Sequence, residues 1–139
     1  MTQDKERAAA QDHALIRSED VVQLIDNVVL DDAPTSFTSK AVHVGPFRRF
    51  ALYLRHKSTN APTNLQYIVE FLNPHDGQWY QYNEGVFASL FYEDTVLATE
   101  RFESFVGFVL GPDMRLRAVG TGTSGSATFA ITAGVAFFN

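Results

Sequence analysis

The stretch Phe47-Arg-Arg-Phe-Ala-Leu-Tyr-Leu-Arg-His-Lys57 decides the fold. Phe50, Leu52 and Leu54 point one way; Arg49, Ala51, Tyr53 and Arg55 point the other. A period of two marks a strand with one face on a core and one face outside it. Gly45-Pro46 punctuates its start, and the polar run Ser58–Asn64 its end. A lone strand cannot bury that apolar face, so the rest of the chain must supply strands that cover it.

Downstream the same grammar repeats. Leu65, Tyr67, Val69 and Phe71 form the core face of the next strand, Leu65–Leu72. Ile68 and Leu72 lie on its nominal outer side, which implies that this face is covered too, by a partner or a second layer. Asn73–Gly77 is a tight turn with an Asp-Gly hairpin signal, and Gln78–Tyr82 returns as a strand. Val86–Tyr92 reads as strand or helical turn, and Thr95–Thr99 as strand or loop. Glu100–Leu110 carries Phe102, Val106, Phe108 and Leu110 in one register and Phe105 and Val109 in the other. A strand apolar on both faces lies between layers or under a partner.

The last two strands are clear. Met114–Val119 sets Met114, Leu116 and Ala118 against Arg115 and Arg117. Gly120–Ser126 reads as a hairpin loop rather than a phosphate loop, because it holds no Lys and a strand follows it. In Ala127–Phe137, Ala127, Phe129, Ile131, Ala133, Val135 and Phe137 alternate with Thr128, Ala130, Thr132, Gly134 and Ala136. Gly-Pro, an Arg-bearing strand, a polar turn and an apolar strand occur twice, from Gly45 and from Gly111. This echo predicts two strand pairs in equivalent places of a sandwich.

Upstream, Ser36–Val44 is a weaker strand suited to a sheet edge. Val21–Leu30 is apolar, with Asp26-Asn27 as a turn or bulge between two short strands. Residues 1–20 are polar and read as an extended N-terminal arm, with a short helix from Lys5 to Arg17 compatible with its composition. The fold class is therefore all-β: an antiparallel β-sandwich or jelly roll over residues 21–139 behind an arm over residues 1–20.

Charge is unevenly placed in this 139-residue chain of net charge −5. Residues 1–32 hold eight acidic and three basic side chains, while Lys40, Arg48, Arg49, Arg55 and Lys57 form a basic block uninterrupted by acid. An acidic arm docking on a basic patch, of its own or a neighbouring subunit, follows as one reading; solvated strand faces are the other. The net charge argues against general nucleic-acid binding. No apolar run reaches the about 20 residues of a membrane helix, and residues 1–13 lack a signal-peptide core. No membrane association is expected, and the protein is read as staying in the cell that makes it or leaving by lysis. There is no Cys, so thiolate chemistry and disulfides are excluded.

No catalytic constellation is legible. His13, His43, His56 and His75 lack metal-ligand spacing, although His43 and His56 could meet across a sheet. The pairs Asp31/Asp32 and Glu93/Asp94 fall at breaks. No cofactor or metal is expected, and the chain is read as no enzyme. Asp76, Trp79, Tyr80 and Tyr82 form a candidate sugar site. Phe87, Phe91, Tyr92, Phe102, Phe105, Phe108, Phe137 and Phe138 exceed the usual needs of one core, and some of them suit a subunit interface.

The segments GPFRRFALYLRH, LQYIVEFLNPHDGQWYQY and LGPDMRLRAVGTGTSGSATFAITAGV resemble small β-sandwich proteins of tailed bacteriophages and prophages, which include head decoration, or cement, proteins. The resemblance spans about residues 36–138. Its motifs are the strand Phe50–Leu54, the turn Asp76–Tyr80, Gly111–Arg117 and the strand Phe129–Ile131. It implies a virion structural protein on the capsid surface, assembled in the host cytoplasm. Its partner would be the major capsid protein, and a homo-oligomer, a trimer foremost, would grip a neighbour with an N-terminal arm. The expected contact residues are Asp4, Glu6, Arg7, Arg17, Glu19 and Asp20 on the arm, and Arg48, Arg49, Arg55 and Lys57 on the basic block. The alternative is a carbohydrate- or receptor-binding module of a phage tail.

Overall fold

A computed structural model describes residues 20–82, 90–93 and 100–139. The strands are β1 (Val21–Leu30), β2 (Ser36–Thr38), β3 (Val42–His43), β4 (Arg49–Thr59), β5 (Asn64–Asn73), β6 (Gln78–Gln81), β7 (Leu90–Glu93), β8 (Arg101–Phe108), β9 (Asp113–Thr121) and β10 (Thr128–Phe138). They form two antiparallel sheets, and no helix occurs among the described residues. One sheet has the order β1-β10-β4-β8. In the other, β9 and β5 are central: β2 and β3 pair with β9, and β6 and β7 with β5. The chain is an antiparallel β-sandwich, as its alternation predicts.

The alternating residues meet between the sheets. Phe50, Leu52 and Leu54 of β4 and Phe129, Ile131, Val135 and Phe137 of β10 face Leu65, Tyr67, Val69 and Phe71 of β5 and Met114 and Leu116 of β9, all buried. Phe50, Phe71 and Tyr82 form an aromatic cluster with ring centroids about 6 Å apart. Gly107 makes room for it: a Cβ there would stand 2.5 Å from the Phe50 ring.

Three local expectations change. The Gly120–Ser126 loop is no hairpin: it carries the chain from β9 in one sheet to β10 in the other, as the 60–63 turn carries it from β4 to β5. The two Gly-Pro units hold related places, but neither is a strand pair: β4 pairs with β10 and β5 with β9, at the centres of the two sheets. Asp26-Asn27 is a bulge inside one continuous strand, with the register against β10 shifting there and Asn27 at φ 47. Ser36–Val44 divides into β2 and β3, both on the same edge of β9.

The second face of β5 is covered from within the chain. Glu70 is buried at 7% exposure, and its carboxylate accepts from Arg115 Nε at 2.9 Å with Arg117 at 3.7 Å. The Arg115 guanidinium also lies 4.2 Å over the Trp79 ring. The arm, and the readings for residues 86–89 and 94–99, lie outside the described residues.

Candidate functional site

The outer face of the four-stranded sheet follows from the strand registers. Residues opposite one another in an antiparallel ladder share a face, so side chains line up in rows across the sheet. One row reads Val21, Ala136, Ala51, Val106. The next reads Gln23, Gly134, Tyr53, Ser104. A third reads Thr132, Arg55, Phe102, and a fourth Phe138, Arg49, Phe108. Along β10 every outward residue from Thr128 to Ala136 is small, so this central strand forms a floor between walls on β1 and on β4 and β8.

That relief produces a groove of about 460 Å³ bounded by Val21, Gln23, Tyr53, Arg55, Phe102 and Gly134. Gly134 is required for the floor, since a Cβ there would approach Val21 Cγ1 to 2.8 Å. Thr132 Oγ1 accepts from the Asn27 backbone N–H at 3.2 Å, which fixes the bulge of β1 against the groove.

Beyond the groove the face is apolar and basic. Phe102 is 70% exposed, Val106 62% and Phe108 53%. Arg55 lies 5.5 Å from the Phe102 ring centre and Arg49 5.9 Å from that of Phe108, so each guanidinium covers an aromatic neighbour in its own row. Arg55 Nε also donates to the Glu100 carboxylate. Lys57 follows on the same face of β4 and is exposed.

The site residues expected from the sequence divide accordingly. Arg49, Arg55 and Lys57 share this face, and Arg48 is exposed just before β4. Asp20 is exposed just before β1, while Asp4, Glu6, Arg7, Arg17 and Glu19 lie outside the described residues. Tyr53, Gln23 and Gly134 are site residues that sequence reasoning missed. Period two places Tyr53 outside the core, but only the register puts Gly134 beside it.

The candidate sugar site does not assemble as one platform. Tyr82 is buried against Phe50 and Phe71, and its hydroxyl accepts from the Phe108 N–H at 3.3 Å. Trp79 stacks under Arg115. Asp76 and Tyr80 are joined by a hydrogen bond within their turn. That bond and the Gln78 N–H lower the Asp76 pKa below its ordinary 3.8, and the same bond raises that of Tyr80.

The histidines do not meet. His56 is buried, with Nδ1 3.4 Å from the Tyr67 hydroxyl, whereas His43 Nδ1 lies 3.1 Å from Asp113 Oδ1 in the other sheet. Among the described residues no group of three His, Asp or Glu is placed to hold a metal.

No protein-family model matches the sequence, and no curated protein matches it. Solved structures with a similar chain path include the crystal structure of PirA, at 9% identity, 87% of this chain, 95% of that one and a TM-score of 0.42. A family 16 carbohydrate-binding module aligns at 16% identity over 74% of this chain and 79% of its own, with a TM-score of 0.43. A CBM4 structure aligns at 10% identity over 94% and 83%, with a TM-score of 0.46. Likeness at this level carries no inference about ligand or partner.

Proposed function

We propose that this β-sandwich is a non-enzymatic virion protein that decorates a phage capsid, as the sequence resemblance implies. Its binding surface is the outer face of the four-stranded sheet. The observation that carries this assignment is the strip of Phe102, Val106 and Phe108, exposed and flanked by Arg49, Arg55 and Lys57. Exposed aromatics beside arginines have the composition of protein interfaces. A protein that binds the assembled shell and not its free subunits stabilises the shell by mass action, and repetition over a lattice lets weak single contacts suffice. The partner is the major capsid protein, with the acidic arm as a second contact. The test is co-sedimentation with particles: retention of the full chain and loss in Phe102→Asp/Phe108→Asp supports the assignment. Equal retention of both, or of neither, overturns it.

A second reading is favoured by the groove at Tyr53. One exposed aromatic ring beside the Gln23 amide, the Ser104 hydroxyl and the Arg55 guanidinium suits a neutral sugar, with Tyr53 taking the place expected for Trp79. A glycan array read with the full chain and with Tyr53→Ala separates the readings. Binding lost in the variant favours the sugar, and silence from both removes it.

A further inference from the structure

Strand β8 is an edge of its sheet, and its ladder to β4 runs from Arg101 to Phe108 without a register shift. The backbone N–H of Val109 donates to Arg48 O at 2.8 Å, which sets the phase of that ladder. In an antiparallel pair, successive residues direct N–H and C=O alternately toward and away from the partner strand. Phe105, Glu103 and Arg101 therefore bond to β4, as Val109 does. Phe102, Ser104, Val106 and Phe108 direct theirs away from the sheet. Phe108 agrees with this phase, since its N–H goes to the Tyr82 hydroxyl. Among the described residues, no hydrogen bond engages the outward backbone groups of Phe102, Ser104 and Val106.

An edge strand whose outward N–H and C=O groups have no partner among the described residues is a template for another strand. We infer that a second copy of this chain occupies it, with β8 pairing antiparallel to β8 of the partner about a two-fold axis at Ser104. The register is chosen by the groups themselves. Centring on Ser104 places Phe102 opposite the partner's Val106 and Val106 opposite the partner's Phe102. All three open residues then form hydrogen-bonded pairs, and each pair exchanges two bonds. The ladder stops at Phe108, whose N–H is already held. A shift to centre on Glu103 would set like charges face to face and leave Val106 opposite Glu100. A shift to centre on Phe105 would pair Phe102 with the occupied Phe108. In the Ser104 register, Glu103 faces Phe105 and Arg101 faces Gly107, so no like charges oppose. The two four-stranded sheets become one continuous sheet, and the outward Phe102 and Val106 form an apolar ladder across the axis.

This inference does not rest on the virion assignment. Particle binding and self-pairing are separate measurements, and either can fail alone.

The test uses the full chain. Sedimentation velocity should show a dimer that dissociates on dilution. Ser104→Pro removes the N–H at the axis while leaving every β4 bond in place, because that N–H points to the free edge, where proline is tolerated. It should weaken the dimer about tenfold or more, the effect of losing two backbone hydrogen bonds, with an unchanged urea midpoint at monomeric concentration. The natural chain has no Cys, so Ser104→Cys introduces a single thiol. A short bis-maleimide should link it chain to chain, whereas Ser126→Cys, in an exposed loop, should not link above the level of random collision. A monomer at all concentrations overturns the inference. So does a dimer or trimer that Ser104→Pro leaves unchanged and that Ser104→Cys does not link.

Discussion

Arg115 Nε donates to Glu70 Oε1 at 2.9 Å on the outer face of the six-stranded sheet, and this contact keeps a carboxylate buried at 7% exposure in the middle of β5. Glu70 stands directly opposite Arg115 in the β5–β9 ladder, so the pair needs no long-range accident of packing. The carboxylate has given up most of its water and depends on its two arginines.

Removing the nearer arginine should therefore cost more than removing the carboxylate. Arg115→Ala leaves a buried charge with Arg117 alone, 3.7 Å away, and also uncovers Trp79. About 2 kcal/mol of stability should be lost, discounted from larger buried-pair values because the Arg115 side chain is partly exposed. Glu70→Gln removes the charge itself and should cost less than half as much. Urea denaturation of the two variants gives the order, and an equal or reversed order would show that Glu70 is already well solvated.

The Phe50–Gly107 contact gives a steric prediction. A methyl group at residue 107 would stand 2.5 Å from the ring of Phe50, which is fully buried and cannot swing away. Gly107→Ala should destabilise the fold by about 1–3 kcal/mol, the usual range for an overfilled core. In the background of Phe50→Leu, which itself leaves a cavity, the added cost should shrink toward zero. A thermal-unfolding double-mutant cycle measures that coupling. Additive losses would place the strain in the backbone of β8 instead of in the ring.

Much of this architecture is legible in the chain because most strands bury one face. Phe50, Leu52 and Leu54 alternate with Arg49, Ala51, Tyr53 and Arg55: the first set is buried between the sheets, while Arg49, Tyr53 and Arg55 are exposed and Ala51 is buried. The same holds for β9 and β10. Period two assigns a face, but it does not name a neighbour. That is why the Gly120–Ser126 loop reads as a hairpin when it in fact crosses between sheets. Ile68 and Leu72 mark a covered face, and Ile68 is buried and Leu72 half-buried, yet the cover beside them on Glu70 is the chain's own Arg115 and Arg117. The groove depends on Gly134 and Tyr53 being adjacent, a relation between residues 81 positions apart that only strand pairing creates. The basic face was legible because Arg49, Arg55 and Lys57 share one strand.

The Asp76–Tyr80 turn carries the pH dependence. The Tyr80 hydroxyl, then the Gln78 N–H, hold the Asp76 carboxyl below its ordinary 3.8. A depressed carboxyl contributes stability that is fully present above its unfolded value and is lost as pH falls through the folded one. The β5–β6 hairpin should therefore loosen only in acid below pH 3.8, with neutral pH unaffected. The Asp76 carboxyl carbon shift, followed by NMR, should titrate below the ordinary range and move back up in Tyr80→Phe. An unchanged midpoint would assign the depression to the Gln78 N–H alone.

Under the proposed capsid-binding role, the strip on β4 and β8 should separate two kinds of contribution. Lys57 is exposed on the strand face, and Arg48 is exposed just before β4; neither has an ion pair among the described residues. Phe102 and Phe108 offer apolar area. Peripheral charges steer encounter and set salt dependence, whereas buried apolar contacts set the lifetime of a complex. On a capsid-coated sensor, Arg48→Ala/Lys57→Ala should slow association several-fold at low salt and flatten its salt dependence, with dissociation nearly unchanged. Phe102→Ala/Phe108→Ala should leave association near its original rate and speed dissociation by about tenfold or more, as expected for losing two exposed aromatics that become covered. Arg55→Ala should follow the aromatic pair, because its guanidinium lies over Phe102 and is already engaged by Glu100. If all three variants changed association alone, the strip would be a steering surface, and the lasting contact would have to come from another part of the chain.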